Sequence, residues 1–336
     1  MLGTRSGLRT VIPALPAMSK KRAVSILVPL TLWAGLAPVA AQEVASARSN
    51  GSVVEQAACQ FTTFDEQSPF TRRFYSRDDY EAAKSNRSIE CLKVRYISDG
   101  LEVVGYIVRP RGAPGRRYPV IIYNRGGFGD LGKIDSWNLL DFYHLASSGF
   151  VILASQYRGN DGGEGREEVG GADVDDVLSL WLVVAGLPYA DGNNVFLYGL
   201  SRGGMMTFLA LKRGATVRAA AVLGAVFDLE AFGRRSPGVV DRAGRLIPDY
   251  AARGATALRE RSAMNWPEVV SVPLLILHGG NDQEVPASEA LTFASKLSDL
   301  KKTYELVVYA DDTHEAANNR LDRDARIVAW FRRYAQ

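Results

Sequence analysis

A serine with a glycine two residues to either side stands at Gly199-Leu200-Ser201-Arg202-Gly203. Val195-Phe196-Leu197-Tyr198 runs into it as a strand, and Met205-Met206-Thr207-Phe208-Leu209-Ala210-Leu211 leaves it as a helix. A chain that turns this sharply from strand to helix lifts the serine hydroxyl above the sheet. Side chains at 199 and 203 would collide with neighbouring backbone, and glycine removes them. The helix that follows aims its N-terminus at the same place, so the Arg202 N–H can face an oxyanion. The chemistry open to such a serine is acyl transfer.

A serine hydroxyl is a poor nucleophile without an adjacent base. His314 is the candidate, in the loop Ala310-Asp311-Asp312-Thr313-His314 after the strand Tyr304 to Tyr309. That is the carboxyl end of a strand, where sheet enzymes build their sites. His278 also ends a strand, but Gly279-Gly280 follows at once, and it reads as a packed, hydrogen-bonded residue. His144 lies among Phe142, Tyr143 and Leu145 on a helix and reads as structural. A base needs a carboxylate to fix its tautomer and stabilise the imidazolium. Asp282, in the loop after another buried strand, fits. Glu284, Asp311 and Asp312 compete with it and otherwise read as solvated loop charges. The second oxyanion donor is expected in Asn124-Arg125-Gly126-Gly127-Phe128-Gly129, as the N–H of about Arg125 or Gly126.

The elements that must position these groups alternate. Val120 to Tyr123 is a continuous apolar run, as in a strand buried on both faces. A helix over Trp137 to Ser147, a strand over Val151 to Ala154 and a helix over Asp173 to Ala185 follow. Beyond the serine come strands at Ala219 to Leu223 and Leu274 to Leu277, a helix over Ser288 to Leu297, the strand before His314, and a closing helix from Arg320 to Tyr334. This rhythm predicts an α/β fold: a mostly parallel sheet with helices on both faces. Asp228 to Pro267 breaks it with helical pieces and no strand, and reads as a small helical cap at about 228–267. Ahead of the body, Asp78 to Ser85 is a short helix. Leu92 to Ile97 and Leu101 to Arg109 form a hairpin around Ser98-Asp99-Gly100.

Composition narrows the function. The chain has 336 residues, a net charge of +3 and 47% hydrophobic residues, which allows a sizeable core. No basic stripe with interleaved aromatics appears, so no nucleic-acid partner is expected. Its three histidines stand at no metal-ligand spacing, so neither a metal nor a cofactor is expected.

The N-terminus reads as an export signal over residues 1–41. Lys20-Lys21-Arg22 precedes the apolar run Ala23 to Leu36, and Val39 and Ala41 suit cleavage after Ala41. Met18 is the expected true start. The run is too short for a comfortable membrane span, and none is expected. Gln42 to Ser52 reads as a disordered lead-in. The expected location is periplasmic or secreted. There Cys59 and Cys91 either bond to each other or stay as two buried thiols, and export favours the bond.

Taken together, residues 93–336 resemble the catalytic domain of the prolyl oligopeptidase family of serine hydrolases, with the α/β-hydrolase fold. The resemblance rests on Tyr123-Asn124-Arg125-Gly126-Gly127-Phe128, on Tyr157-Arg158-Gly159-Asn160 with Gly163 and Gly165, on Gly199 to Gly204, on Asp282 with Val285-Pro286, and on His314. It implies Ser201 as nucleophile, Asp282 as orienter and His314 as base. Some relatives place a tyrosine side chain in the oxyanion hole where Arg125 falls, and arginine is no substitute for a neutral phenol. Relatives that cleave peptides often carry a long β-propeller ahead of this domain, where residues 42–92 stand here. The expected function is hydrolysis of short peptides or aminoacyl bonds, with a carboxylesterase of small acyl esters as the alternative. A catalytically dead binding fold is the third reading, and an intact serine, acid and base argue against it.

Overall fold

The computed structural model describes residues 49–336. The expected signal segment, the expected Met18 start and residues 42–48 of the expected lead-in lie outside the described residues.

One mixed sheet of nine strands organises the chain, in the order β1-β2-β3-β5-β4-β6-β7-β8-β9. In sequence these are β1 Val53–Ala58, β2 Ile89–Ser98, β3 Leu101–Pro110, β4 Tyr118–Asn124, β5 Val151–Ser155, β6 Ala190–Leu200, β7 Ala220–Leu223, β8 Leu274–Gly279 and β9 Tyr304–Tyr309. From β5 to β9 neighbouring strands pair parallel; β1, β2 and β3 add an antiparallel margin. The apolar run of β4 is explained by burial on both faces. Val120 and Ile122 enter the core beneath α4 (Asp173–Gly186), α5 (Arg202–Lys212) and α9 (Ala287–Asp299). Ile121 and Tyr123 enter the opposite core, beneath α3 (Ser136–Ser147) and α10 (Arg320–Tyr334). Each fully buried aliphatic side chain contributes roughly 1.5–3 kcal/mol, so these strands fix the sheet's centre.

Between β7 and β8 the chain makes α6 (Leu229–Arg235), α7 (Pro237–Gly244) and α8 (Tyr250–Glu260). Asp228 caps α6 by accepting the Glu230 and Ala231 N–H groups at 3.0 and 2.9 Å. Among the described residues this excursion holds no strand. Leu229, Val240 and Ala243 turn their side chains into the core that α5 and α9 share, so the cap packs onto the body.

The N-terminal margin differs from the sequence expectation. Ser49 to Ser52 is an ordered turn, with the Gly51 N–H donating to the Ile97 carbonyl at 2.8 Å. Val53–Ala58 is a strand, although all its residues are exposed. It carries no apolar–polar alternation to betray it, because pairing with β2, not burial, makes it a strand. The boundary expected at 92/93 falls inside β2. Beside it come α1 (Pro69–Phe74) and α2 (Arg77–Ser85), each capped by a serine hydroxyl, Ser68 and Ser76. Cys59 and Cys91 are joined as a disulfide between the end of β1 and the start of β2. Among the described residues no helix is long and apolar enough to cross a membrane.

Candidate active site

Ser201 lies between β6 and α5 with φ 57° and ψ −124°, a strained backbone for a residue with a side chain. The turn is as tight as its glycines require. A Cβ on Gly199 would stand 2.2 Å from the Gly203 carbonyl oxygen, and one on Gly203 would stand 1.8 Å from that of Asn124. The Ser201 N–H donates to Leu223 at 2.8 Å, which ties the turn to β7. Arg202 is the first residue of α5, where an N–H has no partner inside the helix.

His314 and Asp282 meet from the loops after β9 and β8. His314 Nδ1 lies 2.7 Å from Asp282 Oδ2 and donates to it. Asp282 Oδ1 accepts the Glu284 and Val285 N–H groups at 2.8 and 2.9 Å, so the carboxylate is held from both ends. Burial would raise the Asp282 carboxyl, but hydrogen bonds from His278 and His314 outweigh it and hold it well below the usual carboxylate range. Burial would lower His314, yet the hydrogen bond and charge of Asp282, with Glu284 and Glu315 beyond, lift it above its ordinary value. Among the described residues His314 Nε2 has no hydrogen-bond partner, which leaves it for the cavity.

Ser201 and His314 line one cavity of about 340 Å³. Its apolar wall comes from Phe128, Leu131, Val226 and, from the cap, Leu229, Phe232 and Val240. Gly126 closes against the serine: a Cβ there would lie 3.1 Å from Ser201 Cβ and 3.8 Å from its Oγ. The Arg125 side chain does not reach this space. It is fully buried, with Nε and Nη2 donating to the Gln156 carbonyl at 3.1 and 3.0 Å and Nη1 to Gly126 at 3.1 Å. Of the expected second donors, Gly126 borders the cavity.

The competing groups fall elsewhere. His278 is fully buried and donates from Nε2 to the Val285 carbonyl at 2.8 Å, with Asp282 Oδ2 at 3.3 Å. It props up the acid from behind. His144 sits on α3, away from the serine, beside a separate surface cleft with Tyr75 and Arg320. Asp311 is exposed. Asp312 is not the solvated loop charge expected from the sequence. It is fully buried, and its oxygens accept the N–H groups of Thr313 and Asn319 at 2.9 Å and side-chain amides of Asn318 and Asn319 at 3.2 and 2.9 Å. It shapes the turn that carries His314.

A buried charge cluster behind the serine was not legible in the sequence. The Arg202 guanidinium turns inward onto Glu167 and Asp173 and donates to the Gly127 carbonyl at 2.7 Å. Glu167 accepts the Gly129 N–H at 2.7 Å and the Asn160 amide at 3.1 Å. Arg125 and Arg202 both lie over the Tyr157 ring, at 5.0 and 4.8 Å. The start of α5 and the glycine loop are therefore clamped to one another. The nearest sequence signal is the acidic residue after Gly163 and Gly165, which says nothing of its partner.

The sequence profile of the prolyl oligopeptidase family matches residues 136–336, more than half of the chain. The chain belongs to the prolyl oligopeptidase family. The match contains Ser201, Asp282 and His314 and makes the chain a serine hydrolase of the peptidase kind. An uncharacterized peptidase of Bacillus subtilis, YtmA, is 29% identical over 251 residues, covering 74% of this chain and 95% of the relative. A second, YuxL, is 26% identical over 69% of this chain but only 37% of its own length. Among solved structures, acylaminoacyl peptidase of Pyrococcus horikoshii superposes with a TM-score of 0.64 at 24% identity. That likeness covers 75% of this chain and 43% of the other, and establishes the α/β-hydrolase fold. A puromycin-hydrolyzing peptidase of Mycobacterium tuberculosis gives 0.61 at 23% identity, over 70% of this chain and 38% of its own. The chain thus spans 95% of YtmA and under half of each of the other three proteins named.

Proposed function

We propose that this chain is an exported serine peptidase acting on short peptides or aminoacyl bonds, with Ser201 as nucleophile, His314 as base and Asp282 as its orienting carboxylate. The supporting observation is one cavity lined both by a serine on a strained strand–helix turn and by a histidine whose far nitrogen is fixed by a carboxylate. His314 Nε2 takes the Ser201 proton as Oγ attacks the scissile carbonyl carbon. The oxyanion forms against the Arg202 N–H and an N–H of the loop at Gly126, and donors held by a folded backbone need little reorganisation. As the tetrahedral intermediate collapses, the imidazolium passes its proton to the leaving nitrogen, and the acyl group stays on Ser201. Water then attacks the acyl carbon with His314 again as base, which releases the acid and restores the serine.

The alternative acts on small acyl esters through the same three residues. The apolar cavity wall built partly by the cap favours it, since a small acyl chain fills such a space without a peptide backbone. The values of kcat/KM on an aminoacyl amide and a simple acyl ester of the same acid separate the two. Higher values on the amide support the peptidase, and activity confined to the ester overturns it.

Export rests on Lys20-Lys21-Arg22 with its apolar run, and the Cys59–Cys91 bond is at home in an oxidising compartment. N-terminal sequencing of protein from the producing cells tests it: a start near Gln42 supports export with cleavage, and a retained apolar segment contradicts it.

A further inference from the structure

The charged groups that border the cavity differ in whether they have partners. Lys133 is paired with Asp130 at 3.3 Å and Asp161 at 3.6 Å. Asp135 caps α3 by accepting the Trp137 N–H at 2.9 Å. The Arg202 guanidinium is committed to Glu167 and Asp173. Glu284 and Glu315 remain. Both line the cavity, and among the described residues neither forms an ion pair with a lysine or arginine. The group set against Glu284 is His314, whose Nε2 lies 3.7 Å from Glu284 Oε2. Glu315 is the next residue in the chain and is half-buried. Burial pushes its carboxyl up, and the charge of Glu284 pushes it the same way.

A second observation gives this acidic wall a direction. His314 is 6% exposed, and its Nε2 is buried with no hydrogen-bond partner. That nitrogen must hand its proton to the leaving nitrogen, which requires an approach of about 3 Å during the reaction. Whatever borders Nε2 therefore borders the leaving group. The apolar residues Leu229, Phe232 and Val240 line the same cavity and suit the acyl side. Among the described residues the cavity thus carries carboxylates without a lysine or arginine partner where the leaving group must pass.

We propose that Glu284 and Glu315 form a leaving-group subsite that selects substrates with a cationic residue, lysine or arginine, immediately after the scissile bond. This rests on the peptidase reading. The Glu284 side chain is 63% exposed and can swing to meet a long cationic side chain. Its exposure also limits the gain, because water and salt screen it.

The test uses three internally quenched peptides that differ only in the residue after the scissile bond: lysine, alanine or glutamate. For the wild type, kcat/KM is expected to fall in that order, with lysine over glutamate by about tenfold at low salt and less at high salt. Glu284→Gln and Glu315→Gln should each shrink the lysine-to-glutamate ratio, and the double variant should bring it close to one. The ratio is the readout because lost folded enzyme scales all three peptides alike. Equal cleavage of the three by the wild type, or a ratio that survives in the double variant, overturns the subsite alone. Failure of the wild type to cleave any of them while it hydrolyses an acyl ester overturns the peptidase reading beneath it.

Discussion

Asp282 and Asp312 are both buried carboxylates near His314, and what their oxygens hold separates them. Asp282 takes the imidazole Nδ1, whereas Asp312 takes backbone and amide N–H groups of its own turn. Asp282→Asn should lower kcat/KM by about 10⁴, because an amide facing Nδ1 favours the tautomer that leaves Nε2 already protonated. Asp312→Asn should instead cost about 1–3 kcal/mol of stability, as an amide N–H is set against donors. The activity of folded Asp312→Asn should stay within about tenfold of wild type, a loss of about 1.4 kcal/mol in transition-state binding. Urea titrations and kcat/KM on one activated ester check both variants. A second expectation concerns pH. His314 must be neutral to act, and neighbouring carboxylates raise it. The acid limb of kcat/KM should therefore lie above the ordinary histidine value, about 6.5. Glu284→Gln removes one of those charges, so the limb should move to lower pH; a limb that stays or rises contradicts this. The loop positions of Ser201, Asp282 and His314 were readable because each residue follows a strand with an apolar run. The burial of Asp312 was not, because its partners, Asn318 and Asn319, look like any polar loop residues.

At the scale of elements, the site depends on the β6–α5 turn and on the glycine loop after β4. Gly203→Ala would set a Cβ 1.8 Å from a backbone oxygen of Asn124, and neither backbone can yield cheaply. The cost should reach or exceed the roughly 1–3 kcal/mol typical of overpacking, seen as lost soluble protein or a lower urea midpoint. Glu167→Gln tests the clamp behind the turn. Arg202 keeps Asp173 as a partner, so the loss should stay below the roughly 3–5 kcal/mol of a buried charge left with none. Where the variant still folds, kcat should drop more than KM rises if the glycine loop that Glu167 and Arg202 both hold supplies the proposed oxyanion donor. The strand and helix starts around Ser201 were legible because burial on both faces writes continuous apolar runs. The clamp was not, since Arg125 and Arg202 were legible only through their backbone N–H groups and nothing in the spacing of Glu167 and Asp173 pairs them with those side chains.

The whole molecule joins an exposed N-terminal margin to a densely buried parallel sheet, and one disulfide ties that margin down. Cys59 and Cys91 are 32 residues apart, and closing a loop of that size removes about 3–4 kcal/mol of unfolded-state entropy in the chain-entropy model. Reductant, or Cys59→Ser with Cys91→Ser, should lower the melting temperature and leave the Ser201 region formed. An unchanged melting temperature would show that the margin does not limit stability. The mostly parallel architecture was visible from alternating strands and helices, and the helices between β7 and β8 from the break at Asp228. The edge strand Val53–Ala58 was not, because an exposed strand paired on one side has no hydrophobic pattern to read. The central claim for the molecule is that Ser201 cleaves amide bonds. Its most direct test is kcat/KM for a short peptide with wild type and Ser201→Ala, both confirmed folded by circular dichroism. The expected result is cleavage by the wild type and a loss approaching a millionfold in the variant. A folded Ser201→Ala that keeps near-normal turnover, or a wild type that leaves the peptide intact, would contradict it.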